Sequence, residues 1–170
     1  MRGDPKSVEC DRSTGCDETV LYIDDSPDDL FLFSKACQAA GVSFLLKLAD
    51  GSDVAREYLG GLRDYADRKI HPLPDFILLD IKMPQMDGFE VLTWIRTHPK
   101  VSQTMVALYS SSTVDKDVLR GYLTGTTYYI PKSQSFERLR ELVLGLDECL
   151  NSHGLECSRL LRLSIDPGNI

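Results

Sequence analysis

Short unbroken apolar runs alternate along this chain with longer stretches in which apolar residues recur at helical spacing. Val20-Leu21-Tyr22-Ile23 is the first such run and reads as a buried strand. Ser26-Pro27-Asp28-Asp29 then forms a helix start. Ser26 is placed as N-cap, Pro27 falls at the first helical position, and the two acids face the helix dipole. Leu30, Phe33, Cys37 and Ala40 give that helix an apolar face, and Gly41 is placed to end it. A second strand is predicted over 44–49. The helix after it runs from Ser52 to about Leu62, with Val54, Ala55, Tyr58 and Leu59 inward and Gly60-Gly61 near its end. A long connection, 63–74, leads to Phe76-Ile77-Leu78-Leu79, the continuous apolar pattern of a central parallel strand. Asp87 caps the next helix with Glu90 three residues later, a capping box, and Val91, Leu92 and Ile95 form its inner face. A fourth strand over 105–109 precedes a helix over 114–123 with Gly125 at its end. A fifth strand over 127–130 precedes a helix over 134–150, where Leu139, Leu142, Val143, Leu146 and Leu150 keep helical spacing. Five strand–helix units in strict alternation predict an α/β fold with right-handed crossovers and a parallel sheet covered on both faces.

The ends fall outside this pattern. Residues 1–18 are polar and rich in Gly, Ser, Asp and Pro, and read as a flexible arm; residues 19–150 carry the domain. The tail, 151–170, holds a basic-apolar patch, Arg159-Leu160-Leu161-Arg162-Leu163, with no obvious place in the core; it could cover a groove or add to a dimer contact, but a frayed end is the stronger expectation. At 170 residues the chain is long enough to bury a proper core, and 42% hydrophobic with 26% charged residues is ordinary globular composition. The net charge of −7 argues against a nucleic-acid-binding face, which needs clustered basic residues. No apolar run reaches membrane-spanning length and the N-terminus lacks an apolar leader core, so a cytoplasmic location is expected. The five cysteines are scattered: Cys37 and Cys149 fall on apolar helical positions and read as buried thiols. Cys10 and Cys16 could pair, but a reducing cytosol argues against it. His71, His98 and His153 show no ligand spacing and read as surface or loop residues.

The candidate chemistry lies at the strand ends. Asp24-Asp25 closes the first apolar run, Asp80 the third, Ser110 the fourth and Lys132 the fifth. In an open α/β sheet, ligands sit outside the carboxyl ends of the strands. Three carboxylates in one pocket repel each other and need a cation to stay ionised. Mg²⁺ suits oxygen ligands and keeps room for a phosphate oxygen. With that charge neutralised, one carboxylate can attack a phosphoryl group, Lys132 can offset the added charge, and the Ser110 hydroxyl can hydrogen-bond a phosphoryl oxygen. Each signal alone has an ordinary reading as solvated charge, turn residue, N-cap or surface lysine. Their order along one sheet edge gives them joint meaning.

Across roughly residues 19–150 the chain resembles the receiver domains of two-component response regulators. The resemblance is carried by Asp24-Asp25, by Asp80 in LLDIKMPQMDG, by Ser110 and by Lys132, with Tyr129 at the family's aromatic switch position. It implies a flavodoxin-like, doubly wound five-stranded sheet of order 2-1-3-4-5. It implies that Asp80 is the phosphoacceptor, that Asp25 and Asp80 bind Mg²⁺ through side chains, Asp24 mostly through water, and Lys82 through its backbone carbonyl. Two features depart from the commonest pattern. Lys132 is followed by Ser133 where the family usually has proline, which puts its cis peptide there in question, and the segment 58–74 is longer than in a minimal domain. Both features are similar to small stand-alone regulators that partner bacterial phytochrome kinases.

The implied function is a phosphoacceptor signalling protein that promotes its own phosphorylation and dephosphorylation. Its donor would be a sensor histidine kinase or a phosphotransfer protein. Phosphorylated Asp80 would draw Ser110 toward it and leave space for Tyr129 to turn inward, changing the face made by the fourth helix, fifth strand and fifth helix. That face could also carry a homodimer. Tyr122 reads equally as half-buried packing or as part of this surface, and Lys82 and Ser112 flank the pocket. Only about 20 residues follow Leu150, too few for a DNA-binding domain, so output through protein contacts, self-association or relay to another histidine is expected. The rivals are a pseudo-receiver that binds partners without being phosphorylated and an aspartyl-nucleophile phosphohydrolase. The latter wants an acid two residues after the nucleophile, where this chain has Lys82. A flavin-binding domain fits less well, because acidic strand ends repel a cofactor phosphate.

Overall fold

The computed structural model describes residues 18–169. Its strands are β1 (Thr19–Asp24), β2 (Leu45–Asp50), β3 (Phe76–Leu79), β4 (Met105–Ser110) and β5 (Tyr128–Pro131). Helices α1 (Pro27–Ala40), α2 (Gly51–Gly60), α3 (Gly88–Thr97), α4 (Asp115–Thr124) and α5 (Phe136–Asn151) alternate with them, and a sixth, α6 (Ser158–Leu163), follows. The strands pair in parallel in the order β2-β1-β3-β4-β5. The chain therefore reverses its direction of travel across the sheet between β1 and β3, and a crevice opens there at the carboxyl ends.

Side-chain alternation along each strand splits the core in two. Val20, Tyr22, Phe76, Leu78 and Ala107 face α1 and α5, where Phe33, Leu142 and Leu146 meet them. Leu21, Ile23, Ile77, Leu79, Val106 and Leu108 face α2, α3 and α4, packing on Leu59, Leu92, Ile95 and Val118. The continuous apolar runs thus reflect burial on both faces of the sheet.

The expected caps are present. The Ser26 hydroxyl accepts from the Asp29 amide at 3.3 Å, and Gly41 ends α1 in the left-handed region. Asp87 and Glu90 form a full capping box at α3, each side chain accepting the other's backbone N–H at 2.9 Å. The long connection after α2 is tied down. The Arg68 guanidinium donates to the carbonyls of Tyr58 and Leu59, both at 2.8 Å, and of His71 at 3.1 Å, satisfying the open end of α2. The Tyr58 hydroxyl donates to the Pro72 carbonyl at 2.7 Å.

Two expectations are overturned. The tail is not frayed: α6 packs on α5, Leu160 is fully buried, and a 3₁₀ turn follows at Pro167–Asn169. Its few apolar residues suffice because they seat against a helix already present. Cys149 is not a free thiol but is bonded to Cys157, which α6 brings back onto α5. Cys37 is the buried free thiol expected, with burial pushing its pKa up to about 12. The arm to residue 17, with Cys10 and Cys16, lies outside the described residues. His71 and His98 are half-buried, each against aromatic rings, while His153 is exposed. Among the described residues there is no cis peptide, so Lys132–Ser133 is trans.

Candidate functional site

Four of the strand ends deliver their side chains to one crevice. Asp24 is the last residue of β1 and is buried; Asp25 follows it and is half-exposed. Asp80 directly follows β3, with its amide donating to the Ile23 carbonyl at 2.9 Å, so the sheet ladder itself fixes its position. Gly88 holds the other side of that backbone. A Cβ there would lie 2.7 Å from Ile81 Cα, so only glycine lets the start of α3 settle onto Asp80. Carboxylate oxygens of Asp24, Asp25 and Asp80 lie within 4.8 Å of one another. Three hard oxygen donors this close fit a divalent cation.

Lys132 enters from the end of β5, where its amide donates to the Ser110 carbonyl at 2.8 Å. Its Nζ stands 2.7 Å from Asp24 Oδ2, 2.8 Å from Asp29 Oδ2 and 3.2 Å from Asp80 Oδ1. Burial pulls the lysine's pKa down, but hydrogen bonds to Asp24 and Asp29 and the nearby negative charge outweigh it and leave it above its ordinary value. Burial likewise raises Asp80, opposed by Lys132 and reinforced by Asp24, so this carboxyl sits above its usual range. The pocket therefore carries a fixed cation beside a carboxylate that is costly to keep charged.

Ser110 is fully buried at the end of β4, its Oγ accepting the Ser112 amide at 3.1 Å. Tyr129 was expected to turn inward as Ser110 is drawn away. Here its ring is already inward and fully buried, with the hydroxyl donating to the Ser112 carbonyl at 3.0 Å. Residue 112 thus links Ser110 to Tyr129 through its own backbone. The Lys82 side chain is exposed, two residues past Asp80. Tyr122 is half-buried, and its hydroxyl donates to the Ile165 carbonyl at 2.8 Å.

Sequence reasoning missed two partners. Asp29 was expected at the helix dipole and among the acids that could serve a cation, with no link to Lys132, yet it grips that lysine. Tyr22 was read only as core, but its hydroxyl donates to Asp24 Oδ2. The signal for Tyr22 was available, since residues two apart on a strand share a face. Burial, then the Asp24 charge, drives the Tyr22 pKa far up and keeps it a donor.

An open doubly wound sheet with an acidic triad and a lysine at its carboxyl edge is the architecture of a phosphoryl-receiving switch domain. The family model for the response regulator receiver domain matches residues 20–144, and the chain belongs to that family. It is 28% identical over 131 residues to the response regulator Rcp1 of Synechocystis sp., covering 76% of this chain and 86% of that protein. It is also similar to the crystal structure of the phosphorylated cyanobacterial phytochrome response regulator RcpA. That match has a TM-score of 0.71 and 28% identity, over 80% of this chain and 95% of that one. The Mn²⁺-bound form of Rcp1 matches with a TM-score of 0.67 and 26% identity, over 77% of this chain and 92% of that one. The chain thus resembles the small phytochrome response regulators, and its acidic cluster fits both divalent-metal binding and a phosphorylation site.

Proposed function

We propose that Asp80 is the phosphoacceptor and that this protein reports the state of a sensor histidine kinase through its own changed surface. The observation that carries this reading is the position of the buried Asp80 carboxyl, grouped with Asp24 and Asp25 and 3.2 Å from Lys132 Nζ. An Asp80 carboxylate oxygen attacks the phosphorus of a phosphohistidine. The new O–P bond forms as the P–N bond breaks, and the imidazole leaves with the electron pair and takes up a proton. Asp24, Asp25 and Asp80, with the Lys82 carbonyl, would hold Mg²⁺, which would supply neutralising charge when bound. Lys132 moves its ammonium onto the incoming phosphoryl oxygens and Ser110 donates its hydroxyl to another, leaving Ser112 and Tyr129 to readjust. Water later attacks the phosphorus, the Asp80 O–P bond breaks, and inorganic phosphate leaves as the carboxylate is restored. The protein is a stoichiometric switch, not an enzyme turning over an external substrate.

The donor is a histidine kinase or phosphotransfer protein, and the similarity to phytochrome response regulators favours a phytochrome-type kinase. Output runs through protein contacts on the α4–β5–α5 face, self-association among them once that face is uncovered, with no nucleic-acid or membrane partner. Among the described residues no helix is long and apolar enough to cross a membrane, in keeping with a cytoplasmic site of action. The Cys149–Cys157 bond stands against that location, since reducing compartments keep thiols apart; there the pair would be two neighbouring thiols.

The test is incubation with Mg²⁺ and a small phosphoramidate donor, followed by intact mass. Wild type is expected to gain one hydroxylamine-labile phosphoryl group and Asp80→Asn none. A wild type that takes up no label overturns the reading in favour of a pseudo-receiver, and rapid turnover of phosphate esters overturns it in favour of a hydrolase.

A further inference from the structure

β5 is an outer strand of the sheet, so the N–H and C=O of Tyr129 that point away from β4 need partners from elsewhere. The segment after α6 supplies them. The Tyr129 amide donates to Ser164 Oγ at 3.0 Å, and the Ile165 amide donates to the Tyr129 carbonyl at 2.8 Å. The Ser164 hydroxyl also lies 3.1 Å from that carbonyl and 3.0 Å from the Tyr122 hydroxyl, which itself donates to the Ile165 carbonyl. Ile165 packs with the residues of the α2–α3–α4 side of the sheet.

The other half of the segment is fastened to α5. Cys157 is bonded to Cys149, and Arg159 is forked onto Glu148, with Nη2 2.7 Å from Oε1 and Nε 3.1 Å from Oε2. Between them Leu160 is fully buried over Gly145. A Cβ at Gly145 would come to 3.0 Å from Leu160 Cδ2 and 3.3 Å from Arg159 Cδ. Glycine in the middle of a helix weakens it, so its presence here has a packing reason: α6 lies against the bare backbone.

We propose that residues 157–165 are a built-in strap that occupies the open edge of β5 and holds a second copy of this chain off the α4–β5–α5 face. With the strap gone, the Tyr129 N–H and C=O are open at an outer strand, and the seats of Leu160 and Ile165 are bare. Leu119 and Leu123 already stand exposed on neighbouring α4. An open strand edge flanked by apolar side chains is a template for pairing. A two-fold axis presents the same edge on both partners, so a second copy is the occupant it fits. The strap is the covering device that keeps this edge from being used.

Two full-length variants test this without any phosphodonor, so the outcome is independent of whether Asp80 is the phosphoacceptor. Gly145→Leu pushes Leu160 out of its seat while leaving a good helix former in α5. The double variant Ser164→Ala with Tyr122→Phe removes the hydroxyls that hold the strap to β5 and to α4, and it keeps the question open if Gly145→Leu does not fold. Amide exchange at Tyr129 is expected to speed at least tenfold in both variants. Sedimentation is expected to show self-association at least tenfold tighter than in wild type. Unchanged Tyr129 exchange in the folded variants overturns the docked strap. Faster exchange with self-association no tighter than wild type overturns its role in excluding a second copy.

Discussion

At the scale of single residues, Asp80 and Asp29 set opposite tensions on Lys132. Burial holds the Asp80 carboxyl above its usual range, so the folded chain binds that proton more tightly than the unfolded chain does. The native state then carries more protons than the unfolded state between the ordinary carboxylate pKa and the raised one, and stability falls as pH rises through that window. The contribution is full in acid and lost as pH rises through the raised pKa. Asp80→Asn removes it. In chelator, at a pH above that window, the variant should melt a few degrees higher than wild type, with the gap closing as pH drops below the window. A variant that melts lower than wild type above the window would contradict this. Asp29 acts differently: its carboxylate holds Lys132 at 2.8 Å but is outside the group of Asp24, Asp25 and Asp80 that fits a cation. It therefore competes with a phosphoryl group for the lysine. Asp29 is partly exposed, so the competition is worth about 0.5–1 kcal/mol. Asp29→Asn should bind beryllofluoride two- to fivefold more tightly by calorimetry; weaker binding would show that Asp29 positions the lysine for the phosphoryl group.

At the scale of elements, the strands and helices of the receiver were legible because each carries its own period and punctuation. Phe76-Ile77-Leu78-Leu79 could only be satisfied by burial on both faces, and Ser26, Asp87, Gly41 and Gly125 mark helix ends through their own chemistry. The site was legible for the same reason, since its aspartates, serine and lysine sit where apolar runs stop. The strap was not. Its helix is six residues long, too short to show a period, and what seats it is Gly145, an absence of side chain on another helix. The Cys149–Cys157 pair was hidden likewise, because only the return of the chain onto α5 brings the two together. That bond closes a loop with a sequence separation of 8, and chain-entropy arithmetic for a loop this short gives about 2.5 kcal/mol. Cys157→Ser should therefore raise the open fraction of the strap by roughly 50-fold, seen as faster exchange at Tyr129 while the amides of β1 and β3 keep their protection. Equal exchange in variant and wild type would mean that Leu160 and Ser164 hold the strap without help from the bond.

At the scale of the whole molecule, the acidic pocket is a local excess of charge in a chain already at −7, and folding has to bear both. Lys132 answers part of that excess. Its single charge faces Asp24, Asp29 and Asp80, leaving Asp25 without a share of it. A divalent cation among Asp24, Asp25 and Asp80 would answer the rest, and because the unfolded chain scatters those residues it would bind the native state alone. The stabilisation then follows mass action: about 2.7 kcal/mol at a hundred times the dissociation constant, or roughly 5–10 °C in melting temperature for a chain of this size. Melting should rise with Mg²⁺ in that manner, and Mn²⁺, the ion in the matched Rcp1 structure, should act at the same three carboxylates. Asp25→Asn should lose most of the rise while changing the metal-free melting temperature little, because Asp25 takes no part in the Lys132 ion pairs. Asp80→Asn should start from a higher metal-free value and gain less. The two variants therefore separate a ligand from a buried charge: one loses the response alone, the other shifts the baseline as well. A rise of equal size in all three proteins would place the cation elsewhere on the acidic surface and remove the three strand-end carboxylates from its site.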